Sequence, residues 1–383
     1  MKDPRIEALA KLLIGHSTRL QPGETVVIEG INVPADIVRA IARAAKDAGG
    51  TPLVVLKDDT VIRELAMIYD EADIQLMAQC ELHMLEKAHA FIGLRGGANA
   101  QEYAGVPACR MRRLLDHYVK PVHHEYRSTH LKWVALRWPT PAMAQRAGMS
   151  TEAFEDYFFE VCTFDYARME AAMVPLAELM DRTDRVRILG PDDTDLSFSI
   201  KGIASYKSAG FHNIPDGELF TAPVRESVEG RIRYNVPSLY YGTAFSDVCL
   251  DFEGGRAVRA TANDTKRLNE LLDQDEGARY VGEFAFGVHP GIVKPMQDIL
   301  FDEKIAGSIH LAQGNAYDIS DNGNRSAIHW DLILLQTPEA GGGEIWFDDR
   351  LVSKNGRFVL PELEPLNPEN LAGPAAGALS LGE

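Results

Sequence analysis

Residues 25–56 constrain the fold of this chain more than any other stretch. Residues 25–28 form a short β-branched run that follows a turn at Gln21-Pro22-Gly23. A helix starts at about Pro34, carries Ile37, Ile41, Ala44, Ala45 and Ala48 on one face, and stops at Gly49-Gly50. Residues 53–56 (Leu53, Val54, Val55, Leu56) are then continuously apolar, the pattern of a strand covered on both faces. Strand, helix and strand make one βαβ unit. Residues 90–94 and 133–136 read as further strands of the same sheet, so the N-terminal region is an open α/β domain with parallel sheet.

The texture changes downstream. Ser150 caps a long helical stretch whose apolar stripe (Phe154, Tyr157, Phe158, Val161, Met169, Met173, Leu176) faces a core. From Val186 onward the strands are short and alternating, as in Leu196, Phe198 and Ile200, and Gly254-Gly255 marks a hairpin turn. One helix interrupts them, near residues 265–276. The expected C-terminal domain is therefore α+β with largely antiparallel sheet. The boundary falls at Arg182-Thr183-Asp184-Arg185, giving domains 1–184 and 185–383. The tail from Pro361, rich in Pro, Ala and Gly, reads as an extended arm or frayed end.

Composition narrows the function. The 383 residues carry 56 acids against 39 bases, a net charge of −17, which opposes general nucleic-acid binding. Cys80, Cys109, Cys162 and Cys249 are scattered without zinc-ribbon spacing, as suits a reducing compartment. The chain shows neither a signal-like start nor an apolar run of membrane-spanning length, so the expectation is a cytoplasmic chain without a membrane partner.

Two motifs are set aside. Residues 93–98 are glycine-rich after a strand but lack phosphate-loop spacing, and read as a strand-to-loop turn. His123-His124-Glu125 puts its adjacent histidines on diverging directions, which suits a surface polar stretch better than chelation.

The C-terminal half holds a stronger set. His329 and Asp331 share one face of an apolar strand-like segment, at i and i+2, with Trp330 behind. His310 sits in another such segment. Glu283 interrupts an apolar run at 280–287, and Glu218 enters a short apolar piece at 218–223. Ionisable groups in apolar surroundings are costly unless paired or ligated. Two Glu, two His and one Asp are the ligand stock for two divalent ions bridged by a carboxylate and a water; the bland alternative is a buried His–Asp pair.

At these residues the sequence resembles the M29 family of metallo-aminopeptidases. The likeness is carried by residues 21–24, 138–150, 215–223, 301–317 and 324–331, in order across nearly the whole chain. It implies that Glu218, Glu283, His310, His329 and Asp331 occupy metal-binding positions and Tyr317 the catalytic tyrosine position. It further implies two divalent ions (Zn²⁺, Co²⁺ or Mn²⁺), short-peptide substrates, and a homodimer whose enclosed cavity is roofed by the α/β domain. Residues 240–245 and 360–371 are the candidate contact surfaces for a second copy. Lys304 stands where the family pattern has Asn, and His289 is an additional histidine. Relatives on the same fold include mononuclear-iron, pyridine-ring dioxygenases, which with a non-catalytic metal-binding relative are the alternatives.

Overall fold

The β-branched run extends into a seven-residue strand, β1 (Thr25–Ile31), whose Val26, Val27 and Ile28 are fully buried. In this computed structural model, which describes residues 3–99 and 101–373, β1 lies inside a parallel sheet. The helix α1 (Ala35–Asp47) buries Ile37, Val38, Ala40, Ile41 and Ala45, as its spacing requires. It leads to β2 (Thr51–Lys57), and after helix α2 (Glu71–Leu85) the chain forms β3 (Ala90–Arg95) and β4 (Lys132–Arg137). The sheet order is β2-β1-β3-β4, closed by a short strand, Asn213–Ile214, from far along the chain.

Two expectations are corrected here. The apolar run in β2 is not covered on both faces: β2 is the edge strand, with Val54 46% and Leu56 62% exposed. His123 is buried, although His124 and Glu125 are exposed as expected. Residues Leu115–Arg127 form a wide π-type helix, in which positions five apart share a face. Tyr118 and His123 therefore both turn inward, beneath Phe91. There Lys57 Nζ, 2.5 Å from Glu29 and 2.8 Å from Glu81, completes a buried polar cluster.

The chain forms two compact units: Met1–Phe164 with Gly210–Pro215, and Asp165–Ala209 with Asp216–Glu383. The division falls after Phe164 rather than near residue 184. The helical stretch after Ser150 is broken into α3 (Thr151–Cys162) and α4 (Tyr166–Arg182), the second capped by Asp165, whose side chain accepts from the Arg168 amide. The Met side chains of the stripe, Met169 and Met173, thus serve the core of the second unit.

Among its described residues the second unit holds an eight-stranded, a five-stranded and a two-stranded sheet (Ser238–Tyr240 with Thr243–Phe245), their strand pairs antiparallel. The five-stranded sheet consists of β5 (Tyr206–Ser208), β6 (Glu218–Thr221), β7 (Val281–Gly287), β8 (Ser308–Gly314) and β9 (His329–Leu335), in the order β9-β8-β7-β6-β5. One face packs on the larger sheet, with Phe284 5.1 Å from Phe198 and Phe286 6.0 Å from Phe347 between ring centroids. The other face is left for the ionisable residues. The tail is not frayed up to residue 373: Leu363, Leu366 and Leu371 are buried within the unit, which removes them as a partner surface. Residues 374–383, the rest of that expectation, lie outside the described residues. Among the described residues no helix is long and apolar enough to cross a membrane.

Candidate metal centre

Register alone brings the five sequence-derived residues together. Asp331 pairs with Ala312, which pairs with Glu283, so the three share one sheet face. His329 and His310 lie two residues from Asp331 and Ala312 and point the same way. Glu218 pairs with Gly287, four residues from Glu283, on that face too. Their cross-strand neighbours Ala285, Gly287, Ala312 and Gly314 are small, which leaves room above the sheet for the longer side chains.

A bulge sets this register. Pairing shifts between Val281 and Glu283, leaving Gly282 as the extra residue. A Cβ on Gly282 would lie 2.4 Å from the Gly314 carbonyl oxygen, and Gly314 itself has φ +105°. Both positions accept only glycine, and both flank Glu283 and His329.

Glu283 is at the centre. His310 Nε2 is 3.1 Å from Glu283 Oε1, and His329 Nε2 is 3.4 Å from Glu283 Oε2. His310 Nε2 also lies 3.4 Å from Glu218 Oε2, and His329 Nε2 3.3 Å from Asp331 Oδ1. Two three-residue groups result, Glu218/Glu283/His310 and Glu283/His329/Asp331, each with ligand atoms within 4.8 Å of one another. His329 Nδ1 sits 2.8 Å from the Asn315 carbonyl oxygen, which only accepts; Nδ1 therefore carries a proton and Nε2 faces the carboxylates.

The cluster is built to hold positive charge. Burial works against a charged imidazole, yet the Glu283 hydrogen bond and Glu218 push His310 up to about 9. Burial likewise opposes charge on His329, but Asp331 and Glu283 raise it well above its ordinary value. Burial would raise Glu283 and Asp331; the histidines overcome it and hold both carboxyls low. For Glu218 burial wins over Lys304 and His310, and its carboxyl is pushed up to about 7. Glu218 Oε2, Glu283 Oε2, Asp331 Oδ1 and His310 Nδ1 are buried without a hydrogen bond. Carboxylate oxygens in that condition are costly, and divalent cations facing Oε2 and Oδ1 would satisfy them. The donor set thus fits metal ions, although it does not select one element.

Tyr317 follows β8, its ring 4.5 Å from that of His329 and 5.7 Å from Phe220. Local desolvation and the carboxylates of Glu283 and Asp331 push its phenol well above the ordinary value, so it is a proton-bearing donor at neutral pH. His289 belongs to neither group; its Nδ1 accepts the Gly291 amide at 3.1 Å. Sequence reasoning missed Glu303 and Lys304 as parts of the centre. Lys304 is fully buried, with Nζ 2.9 Å from Glu218 Oε1 and in contact with Glu303 Oε1. The signal in the sequence was Lys304 itself, which stands where the family pattern has Asn.

Residues 2–358 match the family described as thermophilic metalloprotease (M29). The chain belongs to the M29 metallo-aminopeptidase family. This M29 chain is 36% identical over 410 residues to aminopeptidase T of Thermus aquaticus, covering 93% of this chain and 98% of that protein. It is 26% identical over 385 residues to aminopeptidase 2 of Geobacillus stearothermophilus, covering 87% and 92%. Among solved structures, wild-type AmpT from Thermus thermophilus superposes with a TM-score of 0.79 at 24% identity, covering 93% of this chain and 99% of that one. A 2,5-dihydroxypyridine dioxygenase from Pseudomonas putida KT2440 shares the fold at a TM-score of 0.60 and 14% identity, covering 94% and 98%.

Proposed function

We propose that this M29 enzyme is a two-metal aminopeptidase that releases N-terminal residues from short peptides in the cytoplasm. The observation that carries the reading is Glu283, which turns one oxygen to each histidine at the junction of two three-ligand groups. Glu218, Glu283 and His310 would hold one divalent ion and Glu283, His329 and Asp331 the other. Such ions supply an acidified water and an electrophile for the scissile carbonyl.

The remaining work falls to the chain's own groups. Tyr317, with its proton retained, donates its phenol O–H to the oxygen that becomes negative at the attacked carbon. Asn315, through its carbonyl, fixes the His329 ring and keeps Nε2 aimed at the ligand carboxylates. The substrate's α-amine, a cation at neutral pH, is drawn to the carboxylate-rich face, which restricts cleavage to the first residue. A homodimer that encloses this face would admit short peptides and exclude folded proteins, and burial above about 1,000 Å² is expected of it.

The test is elemental analysis together with a panel of aminoacyl-arylamides, with and without chelator. Two divalent ions per chain and chelator-sensitive release of the arylamine are expected. A single iron per chain with oxygen-dependent ring cleavage would overturn the reading in favour of the dioxygenase chemistry of the second structural relative.

A further inference from the structure

Lys304 brings a full positive charge to the centre with no solvent contact. Its Nζ lies 2.9 Å from Glu218 Oε1 and 3.8 Å from Asp216 Oδ1, and it donates to Glu303 Oε1. All three carboxylates are buried, and an ammonium ringed in this way keeps its charge. Its contacts divide the cluster unevenly. One oxygen of Glu218 is committed to Lys304, so only Oε2 faces His310. Among the described residues Lys304 makes an ion pair with neither Glu283 nor Asp331.

We propose that Lys304 makes the two metal positions unequal. The position formed by Glu283, His329 and Asp331 binds its ion tightly. The position formed by Glu218, Glu283 and His310 binds its ion weakly and exchanges it, for two reasons. Glu218 can present only one oxygen there, and its charge is already shared with a fixed ammonium, which leaves less of it for an incoming dication. Lys304 also gives the centre a purpose-built counter-ion. It holds Glu218 and Glu303 in place when the weak position has lost its metal, so that loss does not leave these carboxylates buried and unpaired. The inference rests on the two-metal reading above.

The experiment is equilibrium dialysis of metal-stripped full-length protein against a series of buffered free Zn²⁺ concentrations, with bound zinc counted by elemental analysis. The wild type should fill in two steps, the second at a free Zn²⁺ at least tenfold higher than the first. Lys304→Met, of similar length and without charge, should move the second step at least tenfold lower while the first moves less than threefold. Lys304→Arg, which keeps the charge, should retain two separated steps. Equal filling of both positions in the wild type, or a second step unmoved in a folded Lys304→Met, overturns the role of Lys304 and leaves the two-metal reading standing. Saturation at one zinc in the wild type overturns that reading and this inference with it. Circular dichroism establishes whether the Met variant folds; if it does not, Lys304→Gln takes its place, with the same tenfold shift expected and an unmoved second step overturning the role of Lys304.

Discussion

His123 makes the stability of the N-terminal unit acid-sensitive from about pH 6.5 downward, before ordinary carboxylates begin to titrate. Burial pushes its imidazole from 6.5 down to about 3, against the opposing pull of Glu29, while the nearby Arg127 and Lys57 charges add to the depression. Glu81 Oε1 at 3.5 Å and the Tyr118 hydroxyl at 3.4 Å complete its surroundings. The folded value lies below the unfolded one, so the unfolded chain binds more protons between them. The stability is fully present above pH 6.5 and is lost as the pH falls toward 3. Each pH unit in that window removes about 1.4 kcal/mol, so acidification from pH 7 to pH 5 should cost about 2 kcal/mol at this one residue. The assay is urea unfolding of metal-stripped protein at both pH values, followed by tryptophan fluorescence, for the wild type and His123→Gln. The amide of Gln is neutral throughout, so the variant should lose about 2 kcal/mol less than the wild type over this step. Equal losses in the two proteins, or a wild type stabilised by acid, would refute the reasoning.

Four further outcomes follow from the same geometry. Lys57→Met leaves Glu29 and Glu81 buried without their ammonium and should destabilise the N-terminal unit by about 3–5 kcal/mol in denaturant unfolding. Tyr317→Phe should lower kcat on arylamide substrates by about 100-fold while bound metal, measured by elemental analysis, stays unchanged; parallel loss of metal would make the residue structural. Gly314→Ala would drive a Cβ to 2.2 Å from the Ile328 carbonyl oxygen, so thermal unfolding should shift down and metal content should fall together. Removing metal with a chelator should lower the thermal midpoint, with recovery on adding Zn²⁺, because the ions bind only the folded cluster.

How much of this was legible in the sequence depended on periodicity. His329 and Asp331 were readable because alternation in a strand assigns i and i+2 to one face, and the apolar residues between and after them fixed which face was buried. Their meeting with Glu218, Glu283 and His310 rests on strand order and on the bulge at Gly282, and pairing register between distant strands leaves no mark in local composition. β2 was misjudged for a related reason: its apolar run is the same whether a strand is central or at an edge, and only strand order decides. The two histidines do diverge, but His123 was misjudged because a run of polar residues reads as surface, whereas the five-residue spacing of this helix brings Tyr118 and His123 inward together. Lys304 stood out only as a departure from the family's Asn; that it is buried could not be read, since a buried lysine is recognisable only by the carboxylates folded around it.

The short strand Asn213–Ile214 has a practical consequence for anyone dividing this protein. It pairs with Ala135 and Leu136 of β4, so the parallel sheet begun near the amino terminus is finished by residues synthesised almost eighty positions later. A fragment ending at Phe164 would expose the flank of β4 as an unpaired edge and invite self-association. On the ribosome the first unit likewise cannot complete itself until the chain has passed Pro215, four residues short of Leu219. Glu218 therefore emerges immediately behind the strand that seals the sheet, and a cut between residues 209 and 216 would sever the sheet's last strand and the first ligand in one stroke.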